Sequence, residues 1–191
     1  MTGNLRKHIS KFIEITEEEY AEILKYFTII DAPKKQNLLI DGNICKSNYF
    51  VCEGCLRMFF INEKGIEQTI QFALENWWLA DYTSFSSQKP SEFNIQAVEK
   101  SKILALDFLA QEELLKRFPV MERYFRLVHQ RAHAAYQFRI KMLYSLSREE
   151  LYHLFNKQYP EFVNRIPQYL LASFLGFTPE YLSEIRSKRV S

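Results

Sequence analysis

The spacing of apolar positions changes twice along this chain, and each change marks a different kind of structure. Over residues 4–27 the period is helical. Thr16-Glu-Glu-Glu19 has the form of a capping box, and Tyr20, Ile23, Leu24 and Phe27 supply the stripe that follows it. From residue 28 to about 106 the texture turns to short β-prone runs at 28–32, 38–40, 49–52, 57–61, 68–72, 93–98 and 103–106. Turns at Asp41-Gly-Asn43, Glu53-Gly54 and Asn62-Glu-Lys-Gly65 separate them. Many short strands broken by such turns predict a sandwich or jelly roll. After Asp107 the helical period returns, with a short helix over 108–118 broken at Pro119.

A long helix is predicted over residues 121–146. Its apolar positions Met121, Phe125, Val128, Ala132, Ala135, Met142 and Leu146 follow four-three spacing, with Arg139 the one polar intrusion. Such an a/d seam predicts pairing of two copies along their length, with the alanines allowing close approach. The other reading is one amphipathic helix lying on its own domain. Ser147-Arg-Glu-Glu150 is a second capping box, so a hinge is expected at 144–147 and a new helix after it, buried through Tyr152, Leu154 and Phe155. Pro160 and Pro167 bracket a short connection.

The last stretch reads as two short helices joined by a tight turn. Pro167 suits a first helical turn, and Leu170, Leu171, Phe174 and Leu175 share a face. Gly176 supplies the left-handed stop, Thr178 caps the next helix, and Pro179 and Glu180 occupy its first turn. Ala172 is the small residue that lets two helices cross, and Leu182 and Ile185 point back at the first. This is the spacing of a DNA-binding helix-turn-helix; the plainer alternative is an ordinary helical hairpin in a core. Arg186, Lys188 and Arg189 end it with positive charge suited to phosphates.

Composition narrows the class. The chain has 191 residues, 47% of them hydrophobic, which suits a globular protein with a substantial core. The net charge of +2 does not by itself announce nucleic acid. Between Lys116 and Lys141, however, seven basic residues face the single acid Glu122. No apolar run of about 18 residues is present, so no membrane span is expected, and the N-terminus lacks a signal-peptide pattern. Three cysteines fit a reducing cytoplasm better than a disulfide framework.

Cys52-Glu-Gly-Cys55 is a lone C-x-x-C with only Cys45 to add, short of the four ligands of a structural zinc or a cluster. His129 and His133, one helical turn apart, lack the glutamate of a metalloprotease motif. No nucleophile elbow, P-loop or dinucleotide fingerprint occurs. Residues 28–106 contain no histidine, which removes a cupin-like enzyme. No enzymatic activity, cofactor or metal is expected.

Taken in order, a β-roll, a long dimerising helix, a capped helix and a terminal helix-turn-helix resemble the Crp/Fnr family of bacterial transcription regulators. The most specific pieces are Ala172, Leu175-Gly176, Leu182-Ser183 and Ile185, with Gly42, Gly54 and Gly65 at turns of the roll. The resemblance implies an α+β chain: a cyclic-nucleotide-binding-like β-roll (jelly roll) with its N-terminal helix over 1–118, a dimerisation helix over 119–146, and a helix-turn-helix domain over 147–191. It implies a homodimer on a palindromic operator in double-stranded DNA, with residues 179–189 in the major groove. Contact with RNA polymerase and a small-molecule effector of unknown identity are further implied partners. Expected groove or phosphate residues are Thr178, Glu180, Tyr181, Ser183, Glu184, Arg186, Lys188 and Arg189; the expected dimer seam is Met121, Phe125, Val128, Ala132, Ala135 and Met142.

The chain also departs from the family pattern. Cyclic-nucleotide-binding members carry a Gly-Glu pair and then an Arg-Ser or Arg-Thr that pairs with the cyclic phosphate. Here Ala80-Asp81 stand for the first pair, Pro90-Ser91 stand near the second, and 86–93 contain no arginine. The roll is therefore expected not to bind cyclic AMP. Trp77, Trp78 and Tyr82, with Ala80, Asp81 and Ser91, mark either an effector pocket or plain packing. Glu184 stands where many members place a guanine-reading arginine, and an extended wing is not expected after Arg189. The alternative function is a ligand-binding or interaction module whose helix-turn-helix no longer binds DNA specifically.

Overall fold

A computed structural model describes residues 2–187. The first capping box forms: the Thr16 hydroxyl accepts from Glu19 N–H at 3.1 Å, and Glu19 accepts from Thr16 N–H at 2.8 Å. A cap opens a helix, so the continuous helix expected over 4–27 is instead two, α1 (Thr2–Ile9) and α2 (Glu17–Leu24). Eight strands follow: β1 (Phe27–Ala32), β2 (Asn37–Leu39), β3 (Ser47–Glu53), β4 (Leu56–Ile61), β5 (Glu67–Ala73), β6 (Trp78–Leu79), β7 (Asn94–Ala97) and β8 (Ser101–Asp107). Seven match the runs read from sequence; β6, two residues long, carries no pattern of its own. Between β6 and β7 lies α3 (Tyr82–Ser87), in a stretch of poor helix formers.

The strands make two four-stranded sheets, ordered β1-β8-β3-β6 and β2-β7-β4-β5. In the first, β8 pairs antiparallel with β1 from Phe27↔Leu106 to Ala32↔Ser101 and with β3 from Ser47↔Asp107 to Val51↔Ile103. Both faces of β3 and β8 are buried. Phe50, Cys52, Leu104 and Leu106 join a cluster with Leu5, Ile9, Ile23 and Trp78. Their alternating neighbours Tyr49, Val51, Ile103 and Ala105 face the other way and are buried too. Tyr49 donates from its hydroxyl to the Leu38 carbonyl of β2 at 3.1 Å, which ties the two sheets.

Helices follow as α4 (Phe108–Arg117), α5 (Val120–Ser145), α6 (Arg148–Gln158), α7 (Pro160–Arg165), α8 (Gln168–Leu175) and α9 (Pro179–Ser187). The bracketing prolines thus enclose a helical turn, α7, with Pro160 in its first position. Met121, Tyr124 and Phe125 of α5 are buried in the cluster over β3 and β8, and Val128 packs against it. This corrects the expected seam: Met121 and Phe125 serve this chain's own core, as in the amphipathic-helix alternative. Ala132 and Ala135 are exposed and Met142 is half-buried. The large apolar residues that α5 leaves exposed include Tyr136, Ile140, Leu143 and Tyr144, which share one face at spacings of four, three and one.

Inside the cluster the Trp78 indole N–H donates to the Tyr124 hydroxyl at 2.8 Å, and that hydroxyl lies 2.8 Å from His8 Nδ1. An indole only donates, so the Tyr124 oxygen accepts from Trp78, and the direction of its bond with His8 follows the imidazole tautomer. Burial pushes the Tyr124 phenol above its ordinary pKa, with the Trp78 hydrogen bond opposing.

Contacts group the chain into two compact units. One holds the residues up to Phe60 with Gln71–His129; the other holds Ile61–Ile70 with the residues from Gln130 onward. Among the described residues no helix is long and apolar enough to cross a membrane.

Gly54 sits at φ +96°, and an added Cβ would lie 2.4 Å from Ser101 Oγ and 2.7 Å from the Lys100 carbonyl. Gly65 has a similar φ of +75° but open space around it. Gly54→Ala should therefore cost about 3 kcal/mol from strain plus overlap, and Gly65→Ala about 1 kcal/mol from strain alone. Equal urea midpoints for the two variants would refute the role of close approach at Gly54.

All three cysteines are buried thiols outside any disulfide. Burial pushes the Cys52 thiol up to about 11 and raises Cys45 as well. At pH 8 the folded protein should resist iodoacetamide at every cysteine and react once unfolded. Labelling of the native protein at the rate of a free thiol would show this burial to be wrong.

Candidate nucleic-acid interface and sensor site

The C-terminal helices are built from their caps. Ser147 Oγ accepts from Glu150 N–H at 3.3 Å and Glu150 accepts from Ser147 N–H at 2.8 Å. The Ser147 hydroxyl, then its backbone, hold the Glu150 carboxyl below its usual range. α8 ends at Gly176, φ +77°, and the Phe177 N–H returns to the Ala172 carbonyl at 2.8 Å. α9 begins with Tyr181 N–H on Thr178 Oγ1 at 3.2 Å. Ala172 is fully buried, and Leu170, Leu171, Leu175, Phe177, Leu182 and Ile185 close the crossing around it. A helix-turn-helix results, joined through Gly176.

Among the described residues of α9, the exposed side chains beyond Pro179 are Glu180, Ser183, Glu184 and Ser187, spaced i, i+3, i+4 and i+7 on one face. Tyr181 is half-buried, edge-on to Phe177 at 5.6 Å and under the Arg148 guanidinium at 5.9 Å. Arg186 is half-buried and flanks the outward stripe. Thr178 uses its oxygen as a cap. Lys188 and Arg189 lie outside the described residues.

Two residues not singled out as site residues from sequence, Arg139 of α5 and Ser173 of α8 itself, tie α8 to other parts of its own unit. Arg139 of α5 donates to the Phe174 carbonyl at 2.7 Å and to the Ile70 carbonyl, and its guanidinium stacks 3.9 Å from the Phe174 ring centre. Burial lowers the Arg139 pKa from the ordinary arginine value, with Tyr136 opposing. Ser173 Oγ accepts from Thr69 N–H at 2.8 Å and donates to the Glu67 carbonyl at 2.9 Å. The interruption of the apolar register at Arg139 was the one signal in the sequence.

In the roll, Asp81 is the N-cap of α3. Its Oδ1 accepts from Thr83 N–H at 3.0 Å and Ser84 N–H at 3.2 Å, and Oδ2 accepts from the Ser91 hydroxyl at 2.7 Å. Asp81 is 5% exposed and Ser91 2%. Those two expected residues come together; the other four do not make a pocket with them. Trp77 is 54% exposed and Trp78 6%, because successive residues of extended backbone point oppositely. Trp78 belongs to the helix-side cluster, so at that position the packing reading holds. Tyr82 lies edge-on to His129 at 4.7 Å, and Ala80 is buried. Arg57, the one buried basic side chain among the described residues, is engaged with Gln96 Oε1 at 2.8 and 3.2 Å and stacks over Phe59.

The sequence model of the cyclic nucleotide-binding domain matches residues 30–118. A comparison with curated protein sequences finds no match. Among solved structures, the c-di-GMP responsive global regulator CLP of Xanthomonas campestris superposes with a TM-score of 0.70 at 11% identity, over 91% of this chain and 91% of its own. FixK2 of Bradyrhizobium japonicum gives 0.69 at 14% identity, over 85% and 83%. A CooA variant from Carboxydothermus hydrogenoformans gives 0.69 at 18% identity, over 93% and 85%. Residues 30–118 thus fit the cyclic nucleotide-binding domain, and the roll, the long helix over 120–145 and the paired terminal helices give the chain the fold shared by these solved structures.

Proposed function

We propose that this protein is a DNA-binding transcription regulator of the Crp/Fnr type, a homodimer acting on a palindromic operator and unresponsive to cyclic AMP. The observation that carries the reading is the α8–α9 geometry: a crossing closed by Ala172, Leu182 and Ile185, and an α9 face left exposed for a groove. Arg186 at the edge of that face is placed to meet a phosphate. The Tyr136, Ile140, Leu143 and Tyr144 face of α5 is the surface we assign to the partner copy, in place of the first turns of the seam read from sequence. An unassigned effector and RNA polymerase complete the expected partners.

Unresponsiveness to cyclic AMP follows from Asp81. The amides of Thr83 and Ser84 and the hydroxyl of Ser91 already serve a carboxylate. A second anion about 4 Å away would be opposed by roughly 4 kcal/mol at an effective dielectric constant of 20, and 86–93 offer no arginine to offset this.

A specific observation favours a second reading, an interaction module without specific DNA contact. The outward stripe of α9 carries Glu180 and Glu184 with two serines and no cation. Carboxylates accept from cytosine or adenine amino groups but are repelled by phosphate.

Selection of bound sequences from random duplex DNA by the purified protein should yield a two-fold-symmetric consensus. Enrichment of nothing would leave only the second reading. Arg186→Ala should weaken binding to all sequences and flatten the salt slope by about one unit; an unchanged slope would remove Arg186 from the phosphate contacts. Calorimetric titration with cyclic AMP should show no heat of binding, and a micromolar complex would overturn the assignment of Asp81.

A further inference from the structure

In its sheet β5 is an edge strand, and an edge strand points backbone groups outward with no neighbouring strand to take them. Residues 67 and 69, two apart, point to the same edge. One side chain of α8 takes both: Thr69 N–H donates to Ser173 Oγ, and that hydroxyl donates to the Glu67 carbonyl. A single oxygen does here what a paired strand residue does with its N–H and C=O. The next residues on each side are tied as well, because Arg139 donates to both the Ile70 and Phe174 carbonyls while stacked on the Phe174 ring. A guanidinium is a rigid planar fork, so this bridge fixes distance and orientation together. Residues 67, 69 and 70 are thereby fastened to residues 173 and 174 of the first helix of the helix-turn-helix.

We propose that Ser173 and Arg139 are positioning residues that brace the helix-turn-helix on residues 67–70 of its own compact unit and so set the angle at which α9 meets a groove. The proposal rests on the DNA-binding reading of α8–α9. Reading base edges demands placement to within about 0.5 Å, whereas phosphate contacts position the protein without carrying sequence information. The brace therefore acts on the preference for the operator over random DNA rather than on binding as such.

Two measurements on the full chain test this. Without DNA, Ser173→Ala should speed hydrogen exchange of the Thr69 amide tenfold or more, and Ser173→Thr, which keeps the hydroxyl, should restore protection. With the operator selected by the wild-type protein, Ser173→Ala and Arg139→Lys should each lower the ratio of operator to random-duplex affinity about tenfold. Affinity for the random duplex should hold, and Ser173→Thr should recover the ratio. Thr69→Val is the control: it keeps the backbone amide and removes a buried hydroxyl that has no hydrogen-bond partner, so both readouts should stay at wild-type values. An unchanged Thr69 exchange rate in Ser173→Ala, an unchanged affinity ratio, or an equal fall on both DNAs would overturn the proposal. Should the wild-type protein select no operator while Thr69 protection still depends on Ser173, the brace stands as structure, and the DNA-binding reading fails with the positioning role.

Discussion

Burial of β3 and β8 on both faces is the constraint from which the rest of the first unit follows. A strand buried on one face alternates apolar with polar, but Tyr49-Phe50-Val51-Cys52 and Ile103-Leu104-Ala105-Leu106 are continuous apolar runs. One set of side chains is covered by the second sheet. The other set needs a separate cover, which α1, α2, α4 and the first turns of α5 supply. Each buried large side chain contributes about 1.5–3 kcal/mol, so stripping those helices away would expose most of one face of the cluster. The helices are part of the roll's folding unit.

That requirement explains where the long helix departs from its sequence reading. Four-three spacing from Met121 onward fits a partner helix and fits a flat sheet surface equally well for three turns. Met121, Tyr124 and Phe125 meet the strands of their own chain, and only farther along do Tyr136, Ile140, Leu143 and Tyr144 stay open. Periodicity reports that a face is buried; it does not report what buries it. The sequence pattern gave the helix its length and left the occupant of its apolar side undetermined.

Local chemistry was far more legible. Thr16, Ser147, Thr178 and Gly176 each act at a helix end as their residue types require, because a cap is decided within four residues. The strands were found for the same reason, apart from β6, which exists only because Trp78 and Leu79 pair with β3. The contacts no local pattern announces span long separations: Ser173 with residues 67 and 69, Arg139 with Ile70, and Tyr124 with Trp78 and His8. No window of sequence contains both partners of such a contact. α3 belongs with them, since Asp81 needs Ser91, ten residues on, to fix its second oxygen.

The Asp81 arrangement changes how the loop around α3 is held. A dissociable anion at a helix terminus stabilises its surroundings only in proportion to its concentration relative to its dissociation constant. A carboxylate tethered one residue before the helix is always present, at an effective concentration set by the chain itself. The order of residues 81–91 is thus intrinsic to the polypeptide, and dilution or depletion of a solute leaves it untouched.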